Sequence, residues 1–223
     1  MVFRDRREAG RRLAQVLRDA PLAGDAIVLG LPRGGVPVAY EVARELRLPL
    51  DILVVRKLGV PGQEELAMGA IASGGLVVLN DSVIRAFGIR PETIDGVAAR
   101  ERAELERRET LWREGRGPLA LARHTAILVD DGLATGSTMK AAARALRPFA
   151  ARVVAAVPVA AAAAYDEISR EVDWLACVER PQRFAAVGEY YESFDPTQDE
   201  EVRALLQVAG DGSRSPTLSP RKA

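Results

Sequence analysis

The sequence predicts an α/β fold in which a parallel, Rossmann-like sheet is flanked by helices. Two observations indicate it: several short runs are apolar throughout, and amphipathic helical segments alternate with them along the chain. Strands that are apolar on both faces are typical of parallel sheets covered by helices on each side. A chain of 223 residues with 48% hydrophobic content can form one domain with a substantial core. We expect that domain to span residues 1–209.

Helices and strands are predicted in a regular order. Asp5 can cap a first helix whose apolar residues recur at helical spacing and which ends by Pro21. The predicted strands are short apolar runs at 26–29, 50–55, 126–129, 152–159 and 174–178. The later helices carry an apolar stripe and are predicted at 36–47, 91–116, 135–146, 160–170 and 200–208. The helix at 91–116 is heavily charged, so we expect a solvated surface helix that crosses the core or contacts a second subunit.

Three other segments interrupt or follow this alternation. Residues 66–72 and 76–79 are predicted as strands joined by the turn-forming sequence Ser73-Gly74-Gly75. Residues 58–65 contain two glycines and one proline without apolar periodicity, which predicts a mobile loop. From 210 to 223 the composition shifts to Gly, Ser, Pro and basic residues, which predicts a disordered tail.

Composition excludes several function classes. The 31 basic and 31 acidic side chains cancel, which argues against bulk attraction to nucleic acid or an anionic membrane. The single cysteine and single histidine argue against a disulfide, a Cys or His metal cluster and a Ser-His-Asp triad. The start lacks the apolar core of a signal peptide, and no apolar run approaches the ~20 residues that span a bilayer. We therefore expect a cytoplasmic protein without nucleic-acid or membrane partners.

The stretch from Ala126 to Met139 combines the features of an anion site. An apolar strand runs into two carboxylates, Asp130 and Asp131, and then into a loop of small and hydroxylated residues before an Ala-rich helix. Backbone N–H groups at a helix N-terminus can surround an anion, and carboxylates can hold sugar hydroxyls or a hydrated divalent cation. The loop lacks the P-loop lysine and the dinucleotide glycine pattern. These features predict a sugar-phosphate site; the alternative is a tight turn with an N-cap threonine.

Residues 127–138 resemble, without a gap, the phosphoribosyl pyrophosphate (PRPP) signature of the type I phosphoribosyltransferases: apolar strand, two acids, short spacer, Thr-Gly-hydroxyl-Thr. The resemblance implies that family's fold, with a small C-terminal hood at about 180–196. It implies that Asp130 and Asp131 are the catalytic acids and hold the ribose 2′- and 3′-hydroxyls, directly or through Mg²⁺. The residues implied to wrap the 5′-phosphate are Ala134, Thr135, Gly136, Ser137 and Thr138.

Two more loops follow strand ends and resemble other parts of the donor site. The loop 31–35 resembles the family's pyrophosphate loop, which often contains a strained or cis peptide. The implied pyrophosphate ligands are Arg33, Gly34, Gly35 and Lys57. Arg56 is a weaker candidate, and residues 58–65 would form a mobile lid that excludes water. Because ligands of parallel sheets bind beyond the carboxyl ends of the strands, we expect all three loops to converge on one edge. The alternatives are an ordinary turn and solvated basic residues.

The aromatic-rich segment 180–194 resembles the hood of purine-type members, where a nucleobase stacks on a ring. The implied base contacts are Phe184, Val187, Gly188 and Tyr190. The alternative is a hydrophobic lid or a dimer contact. One position departs from the family: Ala134 stands where hypoxanthine-type members carry an aspartate that handles the N7 proton. This argues against hypoxanthine–guanine activity and leaves the acid/base group unassigned.

The resemblance therefore implies Mg²⁺-dependent transfer of the 5-phosphoribosyl group from PRPP to a nitrogenous base, with release of pyrophosphate. That reaction belongs to nucleotide salvage, and we expect a homodimer. One alternative is a non-catalytic regulator that senses PRPP or a nucleotide; no DNA-binding module or basic face is evident for it. Another is a phosphohydrolase-like or kinase-like enzyme that uses the same anion loop. The missing P-loop lysine and metal-binding histidines argue against that enzyme.

Overall fold

The computed structural model describes residues 2–20, 25–113, 116, 121 and 124–212. Its strands are β1 (Ala26–Gly30), β2 (Leu50–Ile52), β3 (Val55–Val60), β4 (Gln63–Ala72), β5 (Leu76–Leu79), β6 (Thr125–Val129), β7 (Arg152–Val159) and β8 (Trp174–Glu179). Its α-helices are α1 (Arg6–Leu17), α2 (Gly35–Leu46), α3 (Asp81–Phe87), α4 (Pro91–Trp112), α5 (Ser137–Leu146), α6 (Ala162–Ile168) and α7 (Asp199–Gly212). No helix among these residues is both long enough and apolar enough to cross a membrane.

The main sheet is parallel, with strand order β2-β1-β6-β7-β8. Its central strand β6 is buried along its whole length. Alternate residues of β6 point to opposite faces: Ile127 and Val129 pack with α1, α2 and α7, whereas Ala126 and Leu128 pack with α5 and α6. Helices on both faces explain why these strands are apolar throughout. The predicted α/β fold is confirmed.

Residues 58–65 were predicted as an irregular loop, and that prediction is wrong because most of them lie in two paired strands. The chain leaves the main sheet after Ile52 and builds an antiparallel hairpin from β3 and β4, which β5 extends to three strands. Gly62 makes the turn with φ 79°, a backbone conformation that favours glycine. Gly59 lies so close to the facing strand that a Cβ there would sit 2.7 Å from the Glu64 carbonyl oxygen. The two glycines and the proline of this segment therefore all lie in one β-hairpin.

The sequence interpretation missed helix α3. Its N-terminus is capped by the Asn80 side chain, which accepts the Val83 N–H, and it ends at Gly88 with φ 57°. None of its residues is fully buried, so it has no clear apolar stripe. The last helix was predicted at 200–208 and instead continues to Gly212. The rest of the predicted tail, 213–223, lies outside the described residues.

The hood is fastened to the N-terminal segment. Phe3 pairs with Tyr191 in a short parallel bridge, and the Phe3 N–H donates to the Tyr190 carbonyl at 2.8 Å. The Glu192 N–H returns a bond to the Phe3 carbonyl at 2.8 Å. A 3₁₀ turn at Val187–Tyr190 then brings the hood over the carboxyl end of β7. Chain segments distant in sequence thus meet above one edge of the sheet.

Candidate functional site

The loops after β1 and β6 lie side by side at the carboxyl edge of the sheet. Leu31 donates its N–H to the Val129 carbonyl at 2.8 Å. A Cβ added at Gly34 would sit 2.1 Å from Oδ2 of Asp131, and one added at Gly35 would sit 2.5 Å from the Val129 carbonyl oxygen. Gly35 therefore requires glycine, because a Cβ there would meet backbone atoms, and a Cβ at Gly34 would displace the Asp131 carboxylate. The Pro32–Arg33 peptide in this loop is cis.

A small pocket lies where the β6 loop enters α5. It has a volume of about 170 Å³, and Asp130, Met139 and Val187 line it together with the loop between them. The predicted phosphate ligands all line it: Ala134, Thr135, Gly136, Ser137 and Thr138. We call it the phosphate-loop pocket. Its lining includes the first residues of α5, and backbone N–H groups at a helix N-terminus can bind a phosphate group.

Three hydroxyl side chains around this pocket are exposed to solvent: Thr135, Ser137 and Thr138. Oγ of Thr135 and Ser137 lie 3.1 Å apart. Gly136 begins the helix with φ 71°, packed against Ile168. That left-handed residue turns the chain sharply enough for hydroxyls on either side of it to face one space.

The two carboxylates of the site face different surroundings. Asp130 lines the phosphate-loop pocket and accepts the Asp131 N–H through Oδ1 at 2.9 Å. Burial, and then the charge of Asp131, raise the pKa of Asp130 well above its ordinary value. Burial also raises the pKa of Asp131, an effect that Arg6 opposes. A buried acidic pair of this kind is stabilised by hydroxyl donors or a cation.

Asp131 is held by a residue that the sequence interpretation did not find. Arg6, at the start of α1, donates through Nε to Asp131 Oδ2 at 2.9 Å. The Tyr191 hydroxyl donates to the Asp131 carbonyl at 2.6 Å. Burial and the nearby Asp131 charge raise the pKa of that tyrosine. Arg6 and Asp131 are 125 positions apart in the sequence, so no local sequence pattern predicts their contact.

Arg33 of the predicted pyrophosphate loop turns toward the C-terminal helix. Its Nη1 lies 3.7 Å from Oδ1 of Asp199, the first residue of α7, and about half of its side chain is exposed. The same Oδ1 accepts the Trp112 indole N–H at 3.0 Å. Arg33 is therefore beside the site but paired with a carboxylate.

A larger cavity of about 430 Å³ lies between the β3–β4 hairpin and α4, and it reaches Thr138 of the phosphate loop. Three basic residues line it: Arg56, Lys57 and Arg100. Arg56 Nη2 lies 2.7 Å from Oε2 of Glu101 on α4. Helix α4 is thus a wall of this cavity, a role that its charged sequence did not indicate.

The hood residues predicted to bind a base do not form one open surface. Phe184 and Tyr190 stack on each other, with ring centroids 5.6 Å apart and an interplanar angle of 14°. A Cβ at Gly188 would meet the Phe194 ring at 3.0 Å. Of the four predicted contacts, Val187 is the one that lines the phosphate-loop pocket. The other three pack within the hood.

Oxygen donors at the acidic pair are of the type that Mg²⁺ prefers. Among the described residues, however, no group of three or more His, Cys, Asp or Glu side chains could hold a metal ion unaided. Mg²⁺ in proteins is usually held by one or two carboxylates together with substrate phosphates. The site therefore fits Mg²⁺ that is shared with a phosphorylated ligand.

The chain is similar in sequence to known proteins. The family model of the phosphoribosyl transferase domain matches residues 5–193. The chain is 48% identical over 210 residues to "Putative phosphoribosyl transferase Rv0571c" of Mycobacterium tuberculosis H37Rv, and equally to MT0597 of the CDC 1551 strain. These matches cover 93% of this chain but 47% of each relative, so the chain spans about half the length of the curated relatives it matches.

A solved structure is also similar. The crystal structure of TT1426 from Thermus thermophilus superposes with a TM-score of 0.85 at 43% identity, and the match covers 92% of this chain and 98% of that one. The residues that the family model matches include both loops of the site, the one with Gly34 and Gly35 and the one with Asp130 and Asp131. This chain belongs to the phosphoribosyl transferase family.

Proposed function

We propose that this chain transfers the 5-phosphoribosyl group from PRPP to a nitrogenous base and releases pyrophosphate, in the presence of Mg²⁺. The observation that carries the proposal is the phosphate-loop pocket with Asp130 on its wall. A helix N-terminus and three exposed hydroxyls suit a 5′-phosphate. A carboxylate next to them suits the ribose hydroxyls. One end of the pocket would therefore bind the phosphate and the other end the sugar.

The reaction breaks the bond between C1 of the ribose and a pyrophosphate oxygen, which keeps the electron pair. A lone pair on the base nitrogen forms the new bond to C1. Positive charge develops on the sugar between these events, and the ionised Asp130 carboxylate stabilises it electrostatically. Mg²⁺ would be held by the donor's phosphates and by Asp130, either directly or through a water molecule. The ion would offset the negative charge of the leaving group.

Pyrophosphate is proposed to leave through the space between the paired glycines and the hairpin. Gly34 and Gly35 let the backbone approach an anion closely, and Lys57 supplies a charge from the hairpin. Arg33 would have to exchange Asp199 for a phosphate oxygen. Closure of the β3–β4 hairpin toward the phosphate loop would exclude water from the reacting atoms.

The acceptor base is proposed to lie between Val187 and the ribose. Val187 packs over Gly132, with its methyl groups 2.6 and 2.8 Å from where a Cβ there would be, and it also lines the phosphate-loop pocket. The base would then lie beside the half-buried Phe184–Tyr190 stack of the hood. Asp130 is the one ionisable side chain among the described residues that line the phosphate-loop pocket, and it is assigned to the ribose. The acceptor's proton is therefore proposed to leave to pyrophosphate or solvent.

The same arrangement supports a second candidate, a PRPP or nucleotide sensor without turnover. The observation that favours it is Ala134, which lines the pocket where hypoxanthine-type members carry a general base. A sensor needs the donor pocket but not an acid/base group. We also propose that the chain forms a homodimer and is cytoplasmic.

Burial raises the pKa of the Cys177 thiol to about 12. A thiol with so high a pKa is unreactive, as expected for a core cysteine.

One assay separates these functions. The purified chain is incubated with PRPP and Mg²⁺, and pyrophosphate is measured with and without each of a set of purine and pyrimidine bases. We expect release only with one class of base, little with hypoxanthine or guanine, and none from Asp130→Asn. Asp166→Asn, an exposed carboxylate on α6, is the matched control and should behave as wild type. PRPP binding without turnover for any base would favour the sensor.

A further inference from the structure

A third cavity lies between the strands β4 and β5 and the helix α5, and the donor site does not account for it. Its volume is about 280 Å³, and we call it the α5 cavity. We propose that it binds a small, flat anion with an apolar face, of the class of aromatic carboxylates and sulfonates, and that this ligand weakens the binding of PRPP. The effect on PRPP rests on the proposed function, whereas the binding of the anion does not.

Small side chains on both walls keep the α5 cavity open. Ala67 and Ala70 line it from β4, and Ala141 lines it from α5. A sheet and a helix that pack only for stability fill the space between them with larger side chains, because protein interiors are close-packed. Here the alanines leave a space close to the size of a small-molecule site, which begins at about 300 Å³.

The wall formed by the sheet is apolar and flat. Lys57 of β3 is paired with Ala70 of β4, which is paired in turn with Val78 of β5. Directly paired residues point to the same face of a sheet, so these three side chains form one row. An aromatic ring lying on Ala70 and Val78 would remove apolar surface from water. Its acidic group would then meet Lys57 at the end of the row.

The charged residues around the cavity favour an anion. Among the described residues that line it, three of the four ionisable ones are basic: Lys57, Lys140 and Arg144. The fourth, Glu167, pairs with Lys140. Glu171 lies behind them and accepts from Arg144 Nε at 2.9 Å. One positive charge therefore remains after both acids are counted, so the cavity attracts an anion and repels a cation.

Asn80 adds a neutral donor to the same cavity. Its Oδ1 accepts the Ser82 hydroxyl at 2.6 Å and the Val83 N–H at 3.4 Å. The side-chain amide N–H groups are then the ones left to donate to a ligand. Carboxylate and sulfonate oxygens accept from such donors, so Asn80 selects for the same class of ligand as the basic residues do.

The α5 cavity shares residues with the proposed donor site. Thr135 and Ser137 line both this cavity and the phosphate-loop pocket. Lys57 lines both this cavity and the larger one beside α4. An anion in the α5 cavity would therefore draw Lys57 and the two hydroxyls away from the phosphates of PRPP. Two ligands that compete for the same groups weaken each other's binding by the same factor.

The first experiment uses anilinonaphthalene sulfonate, a fluorescent aromatic anion, as the probe. We expect the wild-type chain to bind it with a dissociation constant below about 1 mM. Ala141→Leu places a larger side chain in the cavity and should weaken the probe at least about tenfold. Ala103→Leu, at an exposed position of α4, is the matched control and should bind the probe as wild type does. No binding to folded wild type, or equal binding to Ala141→Leu, would overturn the site.

A charge variant tests the same site without filling it. Lys140→Gln leaves the two glutamates beside the cavity with less positive charge, so the probe should bind about threefold or more weakly at low salt. Arg147→Gln removes a basic residue of the same region that pairs with Asp173 and does not line the cavity, so it should change the affinity less than about twofold. Equal effects of the two variants would overturn the charge complementarity.

The second experiment titrates PRPP with Mg²⁺ in the presence of saturating probe. We expect the apparent dissociation constant of PRPP to rise at least about fivefold in wild type and to stay constant in Ala141→Leu. Unchanged PRPP affinity in wild type would overturn the coupling. Equal weakening in Ala141→Leu would show that the probe occupies the donor site itself, which would overturn the proposal. A chain that binds the probe but no PRPP would retain the α5 cavity as a site while the proposed function fails.

Discussion

The Asp131 carboxylate and the Cα of Gly34 are in direct contact: a Cβ at position 34 would lie 2.1 Å from Oδ2 and 2.9 Å from the carboxyl carbon. This contact joins the loop after β1 to the loop after β6. Gly34 has φ −57°, which any residue can adopt, so the requirement for glycine here is one of space and not of backbone conformation. The two loops can approach only because one of them lacks a side chain.

Gly34→Ala should therefore separate the loops. Because 2.1 Å is far inside van der Waals contact, Asp131 must leave Arg6 or the loop must shift. We expect PRPP affinity to fall at least about tenfold and the unfolding temperature to fall by several degrees. Gly96→Ala is the matched control: it lies exposed in α4 with nothing near its Cβ, so alanine should raise stability by about 0.5–1 kcal/mol. A normal Gly34→Ala protein would contradict the close approach.

Asp130→Asn should stabilise the free protein while it weakens donor binding. Burial and the Asp131 charge raise the pKa of Asp130 in the folded state above its unfolded value of about 3.9. The folded state then holds more protons than the unfolded state between these two values, so stability falls as pH rises through that window. Asparagine at position 130 does not ionise, so the variant should not lose stability in this pH window.

The measurement is the unfolding temperature from about pH 4 to pH 8. Near pH 4 the two proteins should melt within about 2 °C of each other; at higher pH the variant should melt higher, by about 2–4 °C for each kcal/mol. Asp166→Asn, which changes an exposed carboxylate, should follow the wild-type curve throughout. A variant that is less stable at neutral pH would show that Asp130 stabilises the fold as a charged group.

Asp199→Asn should strengthen donor binding. Arg33 lies 3.7 Å from the Asp199 carboxylate, which competes with phosphate oxygens for its guanidinium. Removing that charge frees Arg33 and lowers the negative potential near the glycine loop, so we expect PRPP to bind about two- to fivefold more tightly at low salt. Glu200→Gln removes the same charge one position further along α7, where the side chain is mostly exposed and paired with Arg203.

The control Glu200→Gln should change PRPP affinity less than about twofold, as expected for an exposed, screened charge. Arg33→Met should weaken PRPP in the wild-type background, and the benefit of Asp199→Asn should vanish when Arg33 is absent. An Asp199→Asn variant that binds PRPP more weakly would show that Asp199 orients Arg33 for the ligand instead of competing for it.

Glu101→Gln tests whether α4 helps to hold the hairpin over the site. Arg56 Nε donates to Glu101 at 2.9 Å, and Glu101 is mostly buried against the cavity. Loss of this ion pair should speed amide exchange in β3 and β4 and lower the unfolding temperature by a few degrees. Glu106→Gln, exposed on the same helix, is the control and should leave exchange unchanged. Unaltered exchange in Glu101→Gln would mean that β4 and β5 alone fix the hairpin.

Much of this architecture was predictable because the signals were local. The apolar strands, the glycine loop at 31–35 and the run from Asp130 to Thr138 each carry their information within about a dozen residues. Parallel strands then bring successive loops to one edge by topology. The hairpin at 58–65 was missed because Pro and Gly mark both a tight turn and a loop, and strand pairing decides between them.

The long-range contacts of the site were not predictable from local sequence patterns. Arg6 meets Asp131 across 125 positions, and Arg33 meets Asp199 on the last helix. Arginine is common on α1, so composition does not single out Arg6. The stacking of Phe184 on Tyr190 also depends on how the hood folds back on itself. Such pairings arise from tertiary packing, which one sequence does not display.

The central claim is that the phosphate-loop pocket binds the phosphoribosyl donor, and titration of PRPP with Mg²⁺ against wild type and Thr135→Val tests it most directly. Thr135 is exposed, so valine keeps the shape and removes a phosphate-facing hydroxyl without a large cost in stability. The claim predicts wild-type binding with a dissociation constant between about 1 µM and 1 mM and a loss of about fivefold or more in Thr135→Val. No heat of binding to a folded wild-type chain, or equal affinity in the two proteins, would contradict it.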